Sequence, residues 1–168
     1  LDTDRAVNEL VFNNSNSYTV SANTLTVGAN VTTSQGSHTI SSAVDFAPGT
    51  RTLTSASGTS LNITGTTTFT ADGTGTLVLD GDGGGSVGVI LDNADTGNPL
   101  NGTDNVSVVK RGVGTWTIGP GTSTLEDFHG GNTTIEAGTL AVKADSPGGT
   151  VGELRSPVIE VQTGATFD

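Results

Sequence analysis

The sequence predicts an all-β protein whose strands stack in parallel as a single-stranded β-helix of about eight coils. Three observations carry this. Short segments alternate apolar with small polar residues, as in Val106-Ser107-Val108-Val109-Lys110 and Thr133-Thr134-Ile135-Glu136, and a period of two puts the apolar set on one strand face. The breaks between them hold Gly, Asn, Ser and Asp, the residues that turns require. Glycine-cornered units also recur imperfectly: Ala56–Leu61, Glu136–Leu140 and Gln162–Phe167 share one form, and Gly73–Leu77 and Gly112–Trp116 share G-x-G-T-apolar. Recurring strands with little between them bury their apolar faces by stacking coil on coil.

The elements follow in order. Leu1–Leu10 is the one helix-friendly stretch and reads as an N-terminal cap. Strands are then expected at Glu9–Phe12, Tyr18–Ser21, Thr24–Val27, His38–Ser41, Ala43–Phe46, Arg51–Thr54, Ser60–Ile63, Thr67–Thr70 and Gly75–Leu79. The chain next enters an excursion at about 80–105. It comprises a glycine-rich loop (Asp80–Ser86), a strand at Val87–Leu91 and a polar loop (Asp92–Asn105). Strands resume at Val106–Lys110, Thr115–Ile118, Thr133–Glu136, Gly138–Val142, Val158–Val161 and Ala165–Phe167, with a loop at Ala144–Pro157. Neither loop of the excursion is long enough to link two domains, so residues 1–168 read as one solenoid. At roughly 20 residues per coil and about 4.8 Å per rung, eight coils span about 40 Å.

Composition narrows the function classes. The 168 residues hold 17 acids and 6 cations, a net charge of −11. The cations (Arg5, Arg51, Lys110, Arg111, Lys143, Arg155) are scattered, so no basic stripe exists for nucleic acid or an anionic membrane. The absence of cysteine excludes disulfides and thiolate metal sites. No apolar run approaches the roughly 20 residues of a membrane-spanning helix. The chain opens on Leu1, which reads as a processed form or a piece of a larger protein.

Lys110-Arg111-Gly112-Val113-Gly114-Thr115-Trp116-Thr117-Ile118 resembles the K-T-G-x-G-T-L-T-L unit of the autotransporter-associated β-strand repeat. Phe128–Leu140 resembles its companion Y-T-G-G-T-T-I-x-A-G-T-L, and Val158–Phe167 the coil that follows. Weaker similarity reaches Val7–Asn14 and Leu25–Gly28. Trp116, where Leu is usual, and the 80–105 excursion depart from the pattern. The resemblance implies a right-handed parallel β-helix, export to the bacterial surface or beyond, and no catalytic residues. It carries over no binding residue, because the motif consists of corners and core positions.

Candidate chemistry is sparse. Asp80 and Asp82, with Asp92 and Asp95 further on, are the calcium candidates, since D-G-D-G-G-G opens like an EF-hand loop. The pattern then fails at its fifth position (Gly84) and lacks a Glu at the twelfth (Leu91), so an ordinary acidic turn is the stronger reading and no metal is assigned. Glu126, Asp127 and His129 gather acid–base groups without an orienting partner, and Phe128-His129 reads as a coil corner. His38 is expected to face solvent, and two histidines are few for zinc. Trp116 is expected in the core. The sequons at Asn13, Asn30, Asn62, Asn101, Asn105 and Asn132 are what an Asn- and Thr-rich chain produces by chance.

The sequence therefore points to a non-catalytic structural segment of an extracellular or cell-surface protein, without cofactor. Its expected partner is another coil, either a second copy stacked end to end or a continuation of the same chain. An adhesin binding a glycan or matrix ligand through 80–105 is the second reading, and a carbohydrate-active β-helix enzyme the third.

Overall fold

The computed structural model describes residues 1–69, 75–90, 106–119, 129–143 and 156–168, which contain seventeen strands and no helix. The first coil holds β1 (Arg5–Val7), β2 (Leu10–Asn13) and β3 (Thr19–Val20). The second holds β4 (Thr24–Val27), β5 (Val31–Gln35) and β6 (Ser37–Ile40). The third begins with β7 (Ala43–Phe46) and β8 (Gly49–Ser55) and closes with the first half of β9 (Ser60–Phe69). The fourth has β10 (Gly75–Asp80) and β11 (Gly84–Ile90), the fifth β12 (Val106–Lys110) and β13 (Thr115–Ile118). The sixth has β14 (Thr133–Ile135) and β15 (Thr139–Val142), the seventh β16 (Ile159–Val161) and β17 (Thr166–Phe167).

Every strand pairing is parallel and joins successive coils, so the fold is a parallel β-solenoid. It has three faces. Face two is the seven-stranded sheet β2-β5-β8-β10-β12-β14-β16. Face three stacks β3, β6, the first halves of β9 and β11, then β13, β15 and β17. Face one stacks β1, β4, β7 and the second halves of β9 and β11. β9 and β11 thus each cover two faces. The bend in β11 is marked by the register shift between Val87 and Val89, and Gly65 sits against the Ser42 backbone at the equivalent bend in β9. Five rungs are three-sided, and the stack reaches seven on faces two and three.

The expectation of eight coils was slightly high because coil length is not constant. Register partners lie 20 residues apart at Arg5 and Leu25 but 31 apart at Leu79 and Lys110. Seven rungs at about 4.8 Å span about 30 Å. The excursion is also smaller than expected. Asp80 ends a strand and Gly84–Ile90 pairs on both sides within the stack, while 91–105 lies outside the described residues. The helix-friendly reading of Leu1–Leu10 is corrected: Arg5–Val7 is the first rung of face one, since pairing with Leu25–Val27 outweighs local preference.

One contiguous interior runs the length of the stack. On face two the inward column reads Leu10, Val31, Leu53, Leu79, Lys110, Ile135, Val161. On face three it reads His38, Leu61, Gly85, Trp116, Leu140, Phe167. Gly85 gives the room that Trp116 fills: a Cβ there would stand 2.8 Å from the indole Cζ3. Trp116 is fully buried, as expected, and its Nε1 donates to the Asp80 carbonyl at 3.3 Å. From the second rung on, the corner between faces two and three has one glycine in the left-handed region per coil: Gly36, Gly58, Gly81, Gly112, Gly138 and Gly164, with φ between 65° and 101°. Only a residue without Cβ adopts this conformation cheaply. Stacking tightens the requirement at Gly112, where a Cβ would meet the Gly81 carbonyl oxygen at 2.4 Å.

Candidate functional site

The site-bearing residues lie at the corner between faces two and three and at the C-terminal edge. Asp80 is the last residue of β10, and its Oδ1 accepts a hydrogen bond from the Gly81 amide at 2.7 Å. Asp82 is exposed in the corner that follows. The two are not joined by a third ligand: among the described residues no group of three or more His, Cys, Asp or Glu side chains is placed to hold a metal ion. Asp92, Asp95, Glu126, Asp127 and Phe128 lie outside the described residues. His129 is buried, with Nε2 2.9 Å from the Thr133 hydroxyl. Of the sequon asparagines, Asn30 accepts from the Thr52 amide at 2.9 Å and Asn62 from the Ser86 hydroxyl at 3.0 Å; Asn101 and Asn105 lie outside the described residues.

His38 corrects the sequence expectation, because it is fully buried rather than solvent-facing. It has the same strand parity as Ile40, so alternation itself sends it inward. The Phe12 ring stacks on it at 4.4 Å and the Tyr18 ring at 5.7 Å. The imidazole Nδ1 accepts from the Tyr18 amide at 3.2 Å, which leaves Nε2–H to donate to the Gln35 carbonyl at 2.7 Å. Both nitrogens are spent on backbone, so this histidine holds a corner together.

Among the described residues three cations pair in register with core positions, and their burial differs: Arg5 is exposed, Arg51 half-buried and Lys110 fully buried. Arg5 is the register partner of Leu25 and is paired with Asp2. Arg51 is the partner of Leu77, and its guanidinium folds back on its own turn, with Nε donating to the Ala47 carbonyl at 2.9 Å and Nη1 to the Thr50 carbonyl at 2.8 Å. Lys110 stands between Leu79 and Ile135 and is fully buried. Its Nζ donates to the carbonyls of Arg111, Gly112 (2.8 Å) and Ala137 (3.2 Å). Burial pushes its pKa below the ordinary 10.5, and the Asp80 carboxylate opposes that shift. The signal was available in the sequence, since Val106, Val108 and Lys110 share one parity. On the outside of the same corner, Arg111 Nε meets Glu136 Oε2 at 2.8 Å, one rung along.

The seventh rung differs from those beneath it. Ile159 is 38%, Val161 45% and Phe167 40% exposed, whereas Thr133, Ile135 and Leu140, their register partners in the sixth rung, are fully buried. The inward columns of faces two and three therefore end on open apolar side chains, above strands β16 and β17, each of which is paired on one side only. No known family model, curated protein or solved structure matches this chain.

Proposed function

We propose that this chain is a non-catalytic structural segment of an extracellular or cell-surface bacterial protein, a length of stalk or filament whose contacts along the axis are made by adding further coils. The observation that carries it is the seventh rung: two half-paired strands display Ile159, Val161 and Phe167 in the columns that bury their counterparts one rung below. Another coil with apolar residues at those positions, from a continuing chain or a second copy, covers that surface by the same pairing that built the stack. Stacking of copies would be heterologous and would propagate. Since seven rungs span only about 30 Å, extension by stacking is what gives the segment reach. The resemblance to the autotransporter-associated repeat supports the same reading, as does the use of buried His38 and Lys110 for backbone carbonyls and amides.

Sedimentation velocity over a wide concentration range, with electron microscopy of the same samples, tests the self-stacking version. Rods lengthening in steps of about 30 Å are expected. Monodisperse monomers at the highest concentration would remove it and leave chain continuation. The adhesin reading now falls on the corner 81–83 and on residues 91–105, since Gly84–Ile90 belongs to the stack. Deleting 94–102 separates the two, because a stalk keeps its assembly and an adhesin loses its ligand.

A further inference from the structure

We infer that the corner between the fifth and sixth rungs is a carbonyl-lined cation site, filled from within by the Lys110 ammonium, and that this resident cation fixes the two rungs in register. A lysine in a column of Leu53, Leu79 and Ile135 has no aliphatic reason to be there. What it supplies is a charged donor group with three N–H bonds at the end of a stem that packs like its neighbours. Two of its acceptors, the Arg111 and Gly112 carbonyls, belong to the corner of the fifth rung, and the third, Ala137, to the corner of the sixth. The ammonium therefore bridges coils, which a cation serving only its own turn, such as Arg51, does not.

The surrounding backbone explains why a cation is wanted here. Gly112 and Gly138 are both left-handed and stack directly, so that a Cβ on Gly138 would meet the Gly112 and Gly114 carbonyl oxygens at 2.5 and 2.6 Å. The carbonyl oxygens of Arg111, Gly112 and Ala137 converge here on the buried Lys110 side chain. At the third-rung corner the comparable task falls to a neutral group: the Thr59 hydroxyl lies 2.8 Å from the Ala56 carbonyl and 3.3 Å from that of Thr33. At the fifth-rung corner the residue after the glycine is Val113, which has no hydroxyl, and the donor arrives from the column instead.

Two measurements decide the matter. In the unaltered protein, a proton–nitrogen spectrum selective for lysine ammonium groups should show at neutral pH one slowly exchanging signal from Lys110 and none from exposed Lys143, with coupling across the hydrogen bonds to the Gly112 and Ala137 carbonyl carbons. In Lys110→Met, which keeps the stem and removes the donors, hydrogen exchange at the amides of Gly114, Glu136 and Thr139 should accelerate about tenfold or more while the third-rung corner is unchanged. Replacing buried charges with hydrophobes is often neutral or stabilising, so the variant discriminates between a register-fixing cation and a dispensable one. Unchanged exchange in Lys110→Met, or the absence of a protected ammonium signal, overturns the inference. Should Lys110→Met fail to fold, the spectrum of the unaltered protein decides alone.

Discussion

Gly75 opens β10 on face two, and a Cβ built there would stand 2.4 and 2.5 Å from Cδ1 and Cε1 of Phe69. Those are its nearest neighbours, and all are atoms of one side chain. Gly75 has an ordinary backbone conformation, so Ala is forbidden there by the phenyl ring and not by φ. Phe69 is itself fully buried and tilted against Phe46 with centroids 5.6 Å apart. Gly75→Ala should therefore cost about 1–3 kcal/mol through overpacking. Phe69→Leu should cost about 1–2 kcal/mol, below the range for truncation to Ala, with loss of part of the aromatic pair. In the double variant the new methyl group occupies space that the ring has left, so the two costs should not add. A coupling of about 1–2 kcal/mol in favour of the double variant is expected, inside the range for residues in contact. Urea unfolding of the four proteins measures it, and each kcal/mol should also move the melting temperature by about 2–4 °C. Additivity within about 0.5 kcal/mol would show that glycine is required at 75 for some reason other than the ring, and the large-against-small packing argument would fail.

Other expectations follow from single features. The hydroxyl of Thr67 is buried without a hydrogen-bond partner between Val44 and Ile90, so Thr67→Val should raise stability by about 1 kcal/mol, read as a higher urea midpoint. Gly112→Ala and Gly58→Ala impose the same left-handed strain of about 1–2 kcal/mol, but only position 112 lacks space for a Cβ; it should therefore cost at least about 1 kcal/mol more than position 58 in the same melts. Burial raises the pKa of Asp45 above its ordinary 3.8, against the opposing Thr68 hydrogen bond. The folded protein then holds that proton more tightly than the unfolded chain. The contribution is fully present below pH 3.8 and is lost as pH rises through the folded value. Unfolding at pH 3 and pH 7 should accordingly show Asp45→Asn gaining on the parent at the higher pH; equal gaps at both would refute the shift.

The fold class was legible because the solenoid uses the simplest of sequence signals. Thr24–Val27, Ala43–Phe46, Val106–Lys110 and Thr115–Ile118 are observed with the bounds that alternation predicts. β5 was missed because Val31-Thr32-Thr33-Ser34-Gln35 carries one apolar residue. Thr33 takes an inward position there without being hydrophobic, and its hydroxyl is left without a partner. The coil count drifted because strand spacing says nothing about how much chain a corner loops out. At the candidate site the misplacement of His38 has one cause: polar identity outvotes parity in the sequence reading. His38 shares a face with Ile40, Lys110 with Val108 and Arg51 with Leu53, and each polar head is spent on backbone groups; for His38 and Lys110 one of these, the Tyr18 amide and the Ala137 carbonyl, comes near only on stacking. Those partners lie as far away as 27 residues in sequence, for Lys110 and Ala137, and no local motif announces them.

A chain with seventeen acids and six cations spends one of those cations, Lys110, inside its wall. A neighbouring molecule alongside the solenoid meets a body of net charge −11. Side-by-side approach of two such bodies is repulsive until dissolved ions shorten the range of the field to about 10 Å or less. In dilute buffer these molecules should stay laterally apart, and bundling should appear only as ionic strength climbs.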